Sequence, residues 1–206
     1  MKPLWQVPLF RRKSAGNENG SAAHGGLSLL RRNGAAPGQN KAALPRPALR
    51  WLGPESRIAL RSFAFDADAD AVCAFQEETY SLNFPGFQFD AAFSAAFRQD
   101  LRRAALDGQH GLFVLEEERL VGFLWLVICQ NSWTSERYGY VNNLYVVQER
   151  RGLGLGRELM RHSDEFFRAR GVQVARLSVT AANRAACTLY TDAGYVTERW
   201  EMEKKL

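Results

Sequence analysis

The sequence predicts a mixed α/β fold, and three features of its hydrophobic pattern support this prediction. Apolar runs of strand length alternate with longer segments in which apolar residues recur every three or four positions, as on one face of a helix. Residues 112–115 and 120–129 are two such runs, and the polar stretch Glu116-Glu117-Glu118-Arg119 between them indicates a hairpin. Further along, a strand, a glycine-spaced loop and an amphipathic helix follow one another directly.

A strand and two helices are predicted before the hairpin. Residues 58–65 have the composition of a strand, and Asp66-Ala67-Asp68 can cap a helix that runs to about Leu82. The segment Asn83-Phe84-Pro85-Gly86 ends this helix, because proline and glycine interrupt helical backbone. Apolar residues at helical spacing predict a second helix over residues 90–106.

After the hairpin the sequence predicts strands and helices in alternation. A strand over residues 137–147 leads into the glycine loop, and the helix behind it spans residues 157–170 and stops at Gly171. A strand over residues 172–179, a helix over residues 183–193 and a terminal strand over residues 196–204 complete the chain.

Composition indicates a single soluble, cytoplasmic domain with a basic tail. The chain has 206 residues, of which 46% are hydrophobic, and its longest apolar run is too short to span a membrane. The net charge of +5 originates in residues 1–50, which hold nine Lys or Arg and one acidic residue, Glu18. We expect this tail to be disordered and the domain to cover residues 56–206. A solvated tail is favoured over a nucleic-acid-binding one.

The cysteines and histidines do not form a metal-binding pattern. Cys73, Cys129 and Cys187 are odd in number and widely spaced, which argues against a disulfide framework and against a zinc site. The three histidines lack metal-ligand spacing as well. No metal is therefore expected.

The glycine loop carries most of the functional information. Gly152, Gly154 and Gly156 lack Cβ atoms, so the backbone can come close to a bulky anion and direct its N–H groups at it. The helix that follows adds unpaired N–H donors and the positive end of its dipole. The sequence thus predicts a pyrophosphate ligand, carried by a nucleotide or by a nucleotide-derived coenzyme.

Two nucleotide-binding motifs fail at this loop. A Rossmann fingerprint requires the order G-x-G-x-x-G and a carboxylate after the next strand, whereas this loop reads G-x-G-x-G and the next strand runs into Thr180-Ala181-Ala182-Asn183. A Walker A loop requires Gly-Lys-Ser/Thr, and Gly156-Arg157-Glu158 stands here.

A third motif fits a longer stretch. Arg151-x-x-Gly154-x-Gly156 resembles the R/Q-x-x-G-x-G/A signature of the GNAT superfamily of acetyl-CoA-dependent N-acyltransferases, and the block from Asn183 to Tyr195 resembles its N-x-x-A-x-x-L-Y-x-x-x-G-F/Y pattern. The resemblance extends in outline from Ser56 to Leu206. It implies the GNAT-like fold, with a central twisted, mostly antiparallel sheet flanked by helices, and acetyl-CoA as co-substrate.

The resemblance also implies roles for individual residues. Backbone groups of one strand would pair with the pantetheine arm of the coenzyme, and the glycine loop would hold the pyrophosphate. Asn183 would contact the arm, and Tyr190 would act as general acid towards the departing thiolate. The strand and loop residues of this predicted site are Leu144, Tyr145, Val146, Arg151, Gly152, Leu153, Gly154, Leu155, Gly156 and Arg157.

The general base has no obvious candidate in the sequence. Strict alternation puts Tyr138, Tyr140, Asn142 and Leu144 on one strand face, and that face carries no carboxylate. Tyr140 and Asn142 are the catalytic candidates, because with Tyr138 they would order a water that relays the proton. The alternatives are an amine that arrives neutral and, less favoured, Glu136 just before the strand as the base. Polar pairing at a strand end explains Asn142 and Asn143 equally well. Phe84, Phe87 and Phe89, with Trp133 and Trp200 nearby, are candidates for the acceptor wall, with aromatic packing favoured.

The predicted activity is transfer of the acetyl group of acetyl-CoA to a primary amine of a small molecule or peptide. The alternative is a non-catalytic acyl-CoA-binding protein of the same fold. No membrane partner is expected, nucleic acid is not favoured, and the sequence leaves open whether the chain forms a homodimer.

Overall fold

A computed structural model describes residues 50–51, 57–83, 86–87, 89–200, 202 and 204. All of them belong to one compact unit, Ala43–Leu206. The predicted disordered tail, residues 1–50, lies outside the described residues except for Arg50. The elements, in chain order, are β1 Arg50–Trp51, β2 Ala59–Ser62, α1 Phe65–Asn83, α2 Ala91–Leu106, β3 His110–Glu116, β4 Leu120–Gln130, β5 Arg137–Val146, a 3-10 turn Gln148–Arg150, α3 Leu155–Arg168, β6 Ala175–Arg176 and α4 Arg184–Asp192.

The six strands form one sheet in which neighbours in the chain are neighbours in space. Among the described strands, the pairs from β1 to β5 are antiparallel and β5 pairs with β6 in parallel. The predicted mixed α/β fold with a mostly antiparallel sheet flanked by helices is confirmed. The predicted hairpin is present as β3 and β4, which pair from His110↔Val127 onwards.

Alternation along β3 and β4 buries both faces of the sheet. Phe113 and Leu115 belong to one cluster with α3, whereas Leu112 and Val114 belong to a second cluster with α1 and α2. On β4, Leu124 and Leu126 face α3, and Phe123 and Trp125 face α1 and α2. Since both faces are covered, the strands read as continuous apolar runs rather than as an alternating pattern.

Local signals in the sequence explain where helices begin and end. The side chain of Asp90 accepts a hydrogen bond from the Phe93 N–H and caps α2. At α1 the Ala64 N–H donates to Asp68, which also binds Arg61 at 2.7 Å and is 2% exposed. Gly171, with φ of +71°, ends the turn after α3 as predicted. None of the described helices is long and apolar enough to cross a membrane.

Two predicted strands differ from the structure. The strand expected over residues 172–179 pairs only at Ala175–Arg176. The terminal strand expected over residues 196–204 is absent from its described part, residues 196–200, 202 and 204. With so short a β6, there is little ladder for a following strand to extend, and Val196, Trp200 and Met202 are at least 80% exposed.

Candidate functional site

The candidate site is built around a β-bulge in β5. Leu126 of β4 pairs with Val141, and Trp125 pairs with Asn143, so Asn142 is an extra residue without a cross-strand partner. A bulge of this kind locally disrupts the ladder and re-aims the side chains beyond it.

Because of the bulge, residues that were predicted to share one face of β5 lie on different faces of the sheet. Residues that are directly paired across two strands point to the same side of the sheet, so Tyr140 lies with Val127 and Asn143 lies with Trp125, both facing α1 and α2. Leu144 pairs with Leu124 and faces α3. The prediction that Tyr140, Asn142 and Leu144 share a face was wrong, because it assumed unbroken alternation.

One edge of β5 is open beyond the bulge. The ladder between β5 and β6 consists of Gly139↔Ala175 and Tyr140↔Arg176. Past Tyr140, no strand among the described residues pairs with this edge, which includes the predicted arm-binding residues Leu144, Tyr145 and Val146. An extended ligand can therefore pair with main-chain groups here, as an added strand does.

The glycine loop leaves the N-terminus of α3 uncovered. Gly154 is the N-cap, with φ of +83° and no side-chain cap, and a Cβ built on Gly152 or Gly154 would meet no atom within 4 Å. In the described part of the chain, the main-chain N–H groups of residues 152–157 donate to no main-chain carbonyl. These unpaired donors at a helix N-terminus suit an anion.

The remaining residues of the loop differ in their surroundings. Gly156 faces α4, since a Cβ there would lie 3.1 Å from Leu189 Cδ2, so its lack of a side chain serves helix contact rather than the anion cradle. Leu155 is buried in the core at 5% exposure, whereas Leu153 is 66% exposed. The guanidinium of Arg157 lies 3.7 Å from the carboxylate of Asp192 on α4.

The Arg151 side chain is held by β5 and α1. Its Nε donates to the Val146 carbonyl at 2.8 Å, and its Nη2 lies 3.1 Å from Glu78 Oε1. The other oxygen of Glu78 accepts a hydrogen bond from the Tyr145 hydroxyl, and the Tyr145 ring stacks on Phe75. Burial and this carboxylate both raise the pKa of Tyr145. The guanidinium of Arg151 is thus engaged, and the loop presents its main chain to a ligand.

Tyr190 and Tyr140 come from different elements and lie close enough to interact electrostatically. Burial, and to a smaller extent Cys187 and Tyr140, raise the pKa of Tyr190 to about 12. The Tyr140 hydroxyl donates to Ser178 Oγ at 3.1 Å, which ties β5 to the segment after β6. Of these two candidate residues, Tyr190 lies on α4 and Tyr140 lies on β5 near the bulge.

Asn183 caps α4 and reaches the end of α1. Its Oδ1 accepts from the Ala186 N–H at 3.2 Å, and its Nδ2 donates to Asn83 Oδ1 at 3.1 Å. The predicted arm-binding side chain is thus positioned by its own helix and by α1.

Three polar residues of α1 contact residues of the predicted site, and the sequence did not predict these contacts. Gln76 binds Asn143, Glu78 binds Tyr145 and Arg151, and Asn83 binds Asn183. Nothing in the sequence distinguishes them from ordinary polar residues of a helix surface. Among the described residues, no group of three or more His, Cys, Asp or Glu side chains is arranged to hold a metal ion.

The predicted acceptor wall is an aromatic cluster at the start of α2. Phe87 and Phe89 pack on Tyr80 and Phe93, with the Tyr80 and Phe87 ring centroids 5.1 Å apart. Phe84 lies outside the described residues. Trp133 and Trp200 are 94% and 83% exposed and do not contribute to this cluster.

Sequence relatives of known name are acetyltransferases. The profile of the Acetyltransferase (GNAT) family matches residues 71–195. A mycothiol acetyltransferase of Thermobispora bispora is 30% identical over 193 residues, covering 88% of this chain and 62% of that protein. The one of Kocuria rhizophila is 33% identical over 88 residues, 43% of this chain and 28% of that protein. The chain thus spans less than two thirds of the length of these relatives.

Solved structures give the same family. A GCN5-related N-acetyltransferase from Ralstonia eutropha superposes with a TM-score of 0.58 at 26% identity, covering 72% of this chain and 98% of that one. A predicted acetyltransferase with acetyl-CoA from Clostridium acetobutylicum has the same fold, with a TM-score of 0.61 at 13% identity over 72% of this chain and 96% of that one. The matched profile and the fold together establish that this chain belongs to the GNAT family of acetyltransferases.

Proposed function

We propose that this protein is an acetyl-CoA-dependent N-acetyltransferase that acts in the cytoplasm on a primary amine of a small molecule or peptide. The observation that carries the proposal is the open β5 edge that leads into the uncapped N-terminus of α3. An extended arm that ends in a pyrophosphate matches this combination of a free strand edge and free N–H donors.

The residues around this groove fit acetyl-CoA. The main-chain groups of Leu144, Tyr145 and Val146 would bind the arm, and the N–H groups of residues 152–157 would bind the phosphates. Asn183 would contact the arm from α4. The coenzyme supplies the acetyl group as a thioester, and the side chains and main chain of this protein bind and orient the reactants.

The transfer requires that the amine loses a proton and that the departing sulfur is stabilised. The amine nitrogen forms a bond to the thioester carbon, the carbon–sulfur bond breaks with its electron pair on sulfur, and the nitrogen loses one proton. Tyr190 keeps its proton at neutral pH, because its pKa is raised to about 12, so it can donate a hydrogen bond to the departing sulfur. Asn142, the extra residue of the bulge, and Tyr140 near it would order a water that removes the amine proton.

The names of the sequence relatives suggest which amines to test first as acceptors. Two of them are named mycothiol acetyltransferases, at 30% and 33% identity. An amine acceptor of the mycothiol series therefore belongs in the first set of compounds to test. Simple alkyl amines, aromatic amines and short peptides with free N-termini complete that set, since the aromatic cluster around Tyr80 favours apolar groups near the acceptor amine.

The test is acetyl-CoA turnover, measured as free thiol release, beside a binding titration of acetyl-CoA. We expect binding and amine-dependent release of thiol. The second candidate function, acyl-CoA binding without catalysis, is favoured by the lack of a carboxylate on the β5 face around the bulge; binding without turnover on any amine would support it. Absence of binding would exclude both functions.

A further inference from the structure

We propose that Gln76 of α1 is a positioning residue for acetyl transfer: through Asn143 it fixes the carboxamide of Asn142 so that the oxygen of Asn142 is left as the acceptor for the incoming amine. This inference rests on the proposed function. It adds Gln76, which the site prediction did not contain. It also specifies that the carboxamide oxygen of Asn142, and not the nitrogen, binds the amine.

Three side-chain amides form a chain from α1 to the bulge. Asn142 Nδ2 donates to Asn143 Oδ1 at 3.0 Å, and Asn143 Nδ2 donates to Gln76 Oε1 at 2.5 Å. Gln76 is buried, with 6% of its surface exposed, so water does not compete for its amide. The contact joins two elements that are 67 residues apart in the sequence.

The chain continues to an aromatic hydroxyl. Burial raises the pKa of Tyr80 to about 12, and a hydrogen bond with the Gln76 side chain opposes this rise. The Gln76 side chain is thus hydrogen-bonded to Tyr80 as well as to Asn143. Tyr80 itself packs in the aromatic cluster with Phe87 and Phe93, which keeps this end of the chain in place.

The direction of the chain follows from the chemistry of amides. A carboxamide has a donor end and an acceptor end that cannot exchange roles. With Oε1 of Gln76 turned to β5, Asn143 must present its nitrogen there and its oxygen to Asn142. Asn142 in turn presents its nitrogen to Asn143, and within the described residues its Oδ1 accepts no hydrogen bond. Turning one amide over would place two like ends against each other in a partly buried setting, which is unfavourable.

The oxygen Oδ1 belongs to Asn142, the extra residue of the bulge. Asn142 has no partner in β4, so its bond to Asn143 is the contact that orders its side chain. A neutral primary amine can donate one N–H to Oδ1 and the other to the water that removes its proton, and it keeps its lone pair for the thioester carbon. Gln76 therefore acts on the acceptor side of the reaction and not on coenzyme binding.

Kinetics of two substitutions at one position test the proposal. Gln76→Met keeps the length of the side chain and removes both amide ends, so kcat/KM for the amine should fall about 10-fold, as for one lost hydrogen bond. Gln76→Glu keeps an acceptor for Asn143 and should retain most of the wild-type kcat/KM. The affinity for acetyl-CoA should stay unchanged in both. Equal losses in the two variants would overturn the proposal.

A matched control lies one turn along the same helix. The Thr79 hydroxyl donates to the Phe75 carbonyl at 2.8 Å, a bond that stays within α1. Thr79→Val loses this bond without touching the amide chain and should leave kcat/KM as in the wild type. If Thr79→Val matched the loss of Gln76→Met, the effect would belong to α1 in general and the proposal would fail.

A double-mutant cycle tests whether Gln76 acts through Asn142. Asn142→Ala removes the carboxamide, so adding Gln76→Met to it should cause no further loss in kcat/KM for the amine. Additive losses would show that Gln76 acts by another route and would overturn the proposal.

A measurement that needs no activity separates this proposal from the proposed function. In 15N-labelled full-length protein, the side-chain amide signals of both Asn142 and Asn143 should shift in Gln76→Met and stay unchanged in Thr79→Val. Unshifted signals would overturn the positioning role even in an active enzyme. If the wild type acetylates no amine, the proposed function fails, and the shifts still decide whether Gln76 orients these amides.

Discussion

At the scale of single residues, the proton on Tyr190 decides what this side chain can do. Burial raises its pKa to about 12, well above the ~8.5 of an ordinary thiol. The hydroxyl is thus a weaker acid than the thiol it would protonate. We therefore expect Tyr190 to stabilise the departing sulfur by a hydrogen bond and the thiolate to take its final proton from another source.

Replacement of this hydroxyl tests that role. Tyr190→Phe should lower kcat by about 10- to 100-fold, the effect of losing one hydrogen bond to a charged group, and leave acetyl-CoA affinity nearly unchanged. Because the hydroxyl stays protonated, the ratio of the two kcat values should be constant from pH 6 to pH 9, by steady-state kinetics.

The neighbouring Tyr195 is the control for this variant. Its ring lies 6.2 Å from that of Tyr190, and among the described residues its buried hydroxyl has no hydrogen-bond partner. Tyr195→Phe should keep the wild-type kcat. Equal kcat values for the wild type and Tyr190→Phe would leave Tyr190 as a packing residue.

His110 makes the stability of the fold depend on pH. The indole N–H of Trp125 donates to His110 Nδ1 at 2.8 Å, so this nitrogen must be unprotonated. Burial lowers the pKa of His110, and Asp107 only partly opposes this shift. The neutral form is thus favoured on folding, and its contribution is present above pH ~6.5 and lost as the pH falls below it.

An asparagine at this position should remove the pH dependence. His110→Asn offers a carboxamide oxygen to Trp125 but no group that titrates. We expect its free energy of unfolding, from urea titrations, to change less than that of the wild type between pH 7.5 and pH 5.5. Parallel pH dependences for the two proteins would contradict this account.

At the scale of elements, we propose that a ligand binds at the N-terminus of α3 and not at its C-terminus. Gly154 before the helix has φ of +83°, Gly171 behind it has φ of +71°, and neither has an atom within 4 Å of an added Cβ. The two glycines therefore have similar backbone conformations and similar free space around an added Cβ. They differ in which end of α3 they flank.

This symmetry gives a controlled test of the phosphate cradle. Alanine at either position should cost about 1–2 kcal/mol of stability, because both adopt left-handed backbone. Only Gly154→Ala should weaken acetyl-CoA binding, by 10-fold or more, since its methyl group would face the phosphates. Calorimetric titration of both variants checks this, and equal affinities would remove Gly154 from the site.

The ion pair between Glu78 of α1 and Arg151 reduces the positive charge next to the predicted phosphate-binding loop. Glu78 and Arg151 are both more than 40% exposed, and the carboxylate offsets the guanidinium. Glu78→Gln should raise acetyl-CoA affinity severalfold at low ionic strength and less at high salt, because screening weakens this field. Glu77→Gln, next to it on the exposed side of α1, should have no such effect. A drop in affinity for Glu78→Gln would mean that the pair orders the loop.

The sequence predicted elements better than contacts between them. The hairpin and the helix behind the glycine loop were predicted to within two or three residues, because buried strands and amphipathic helices have strong patterns of their own. The bulge at Asn142 was missed, since an extra residue is visible only against the partner strand. Gln76 and Glu78 were missed because their partners lie 67 or more residues away.

At the scale of the whole molecule, charge and fold are divided along the chain. Residues 1–42 hold seven Lys or Arg and one acidic residue, so the remainder has a net charge close to zero. The compact unit that contains all described elements begins at Ala43. We propose that the acetyltransferase domain includes β1, Arg50–Trp51, and thus begins before residue 56, where the sequence analysis put it.

Two truncated proteins test this boundary. A chain that starts at Ala43 should keep the melting temperature and the acetyl-CoA affinity of the full-length protein, because the removed residues have the composition of a solvated tail. A chain that starts at Arg57 also loses β1, whose backbone pairs with Leu60 and Ala59 of β2. Its melting temperature should be lower by several degrees, since β2 becomes an unprotected edge next to the buried Ile58 and Leu60. Equal melting temperatures for the two would place the boundary after β1, and a loss of folding in the longer one would show that residues 1–42 take part in the fold.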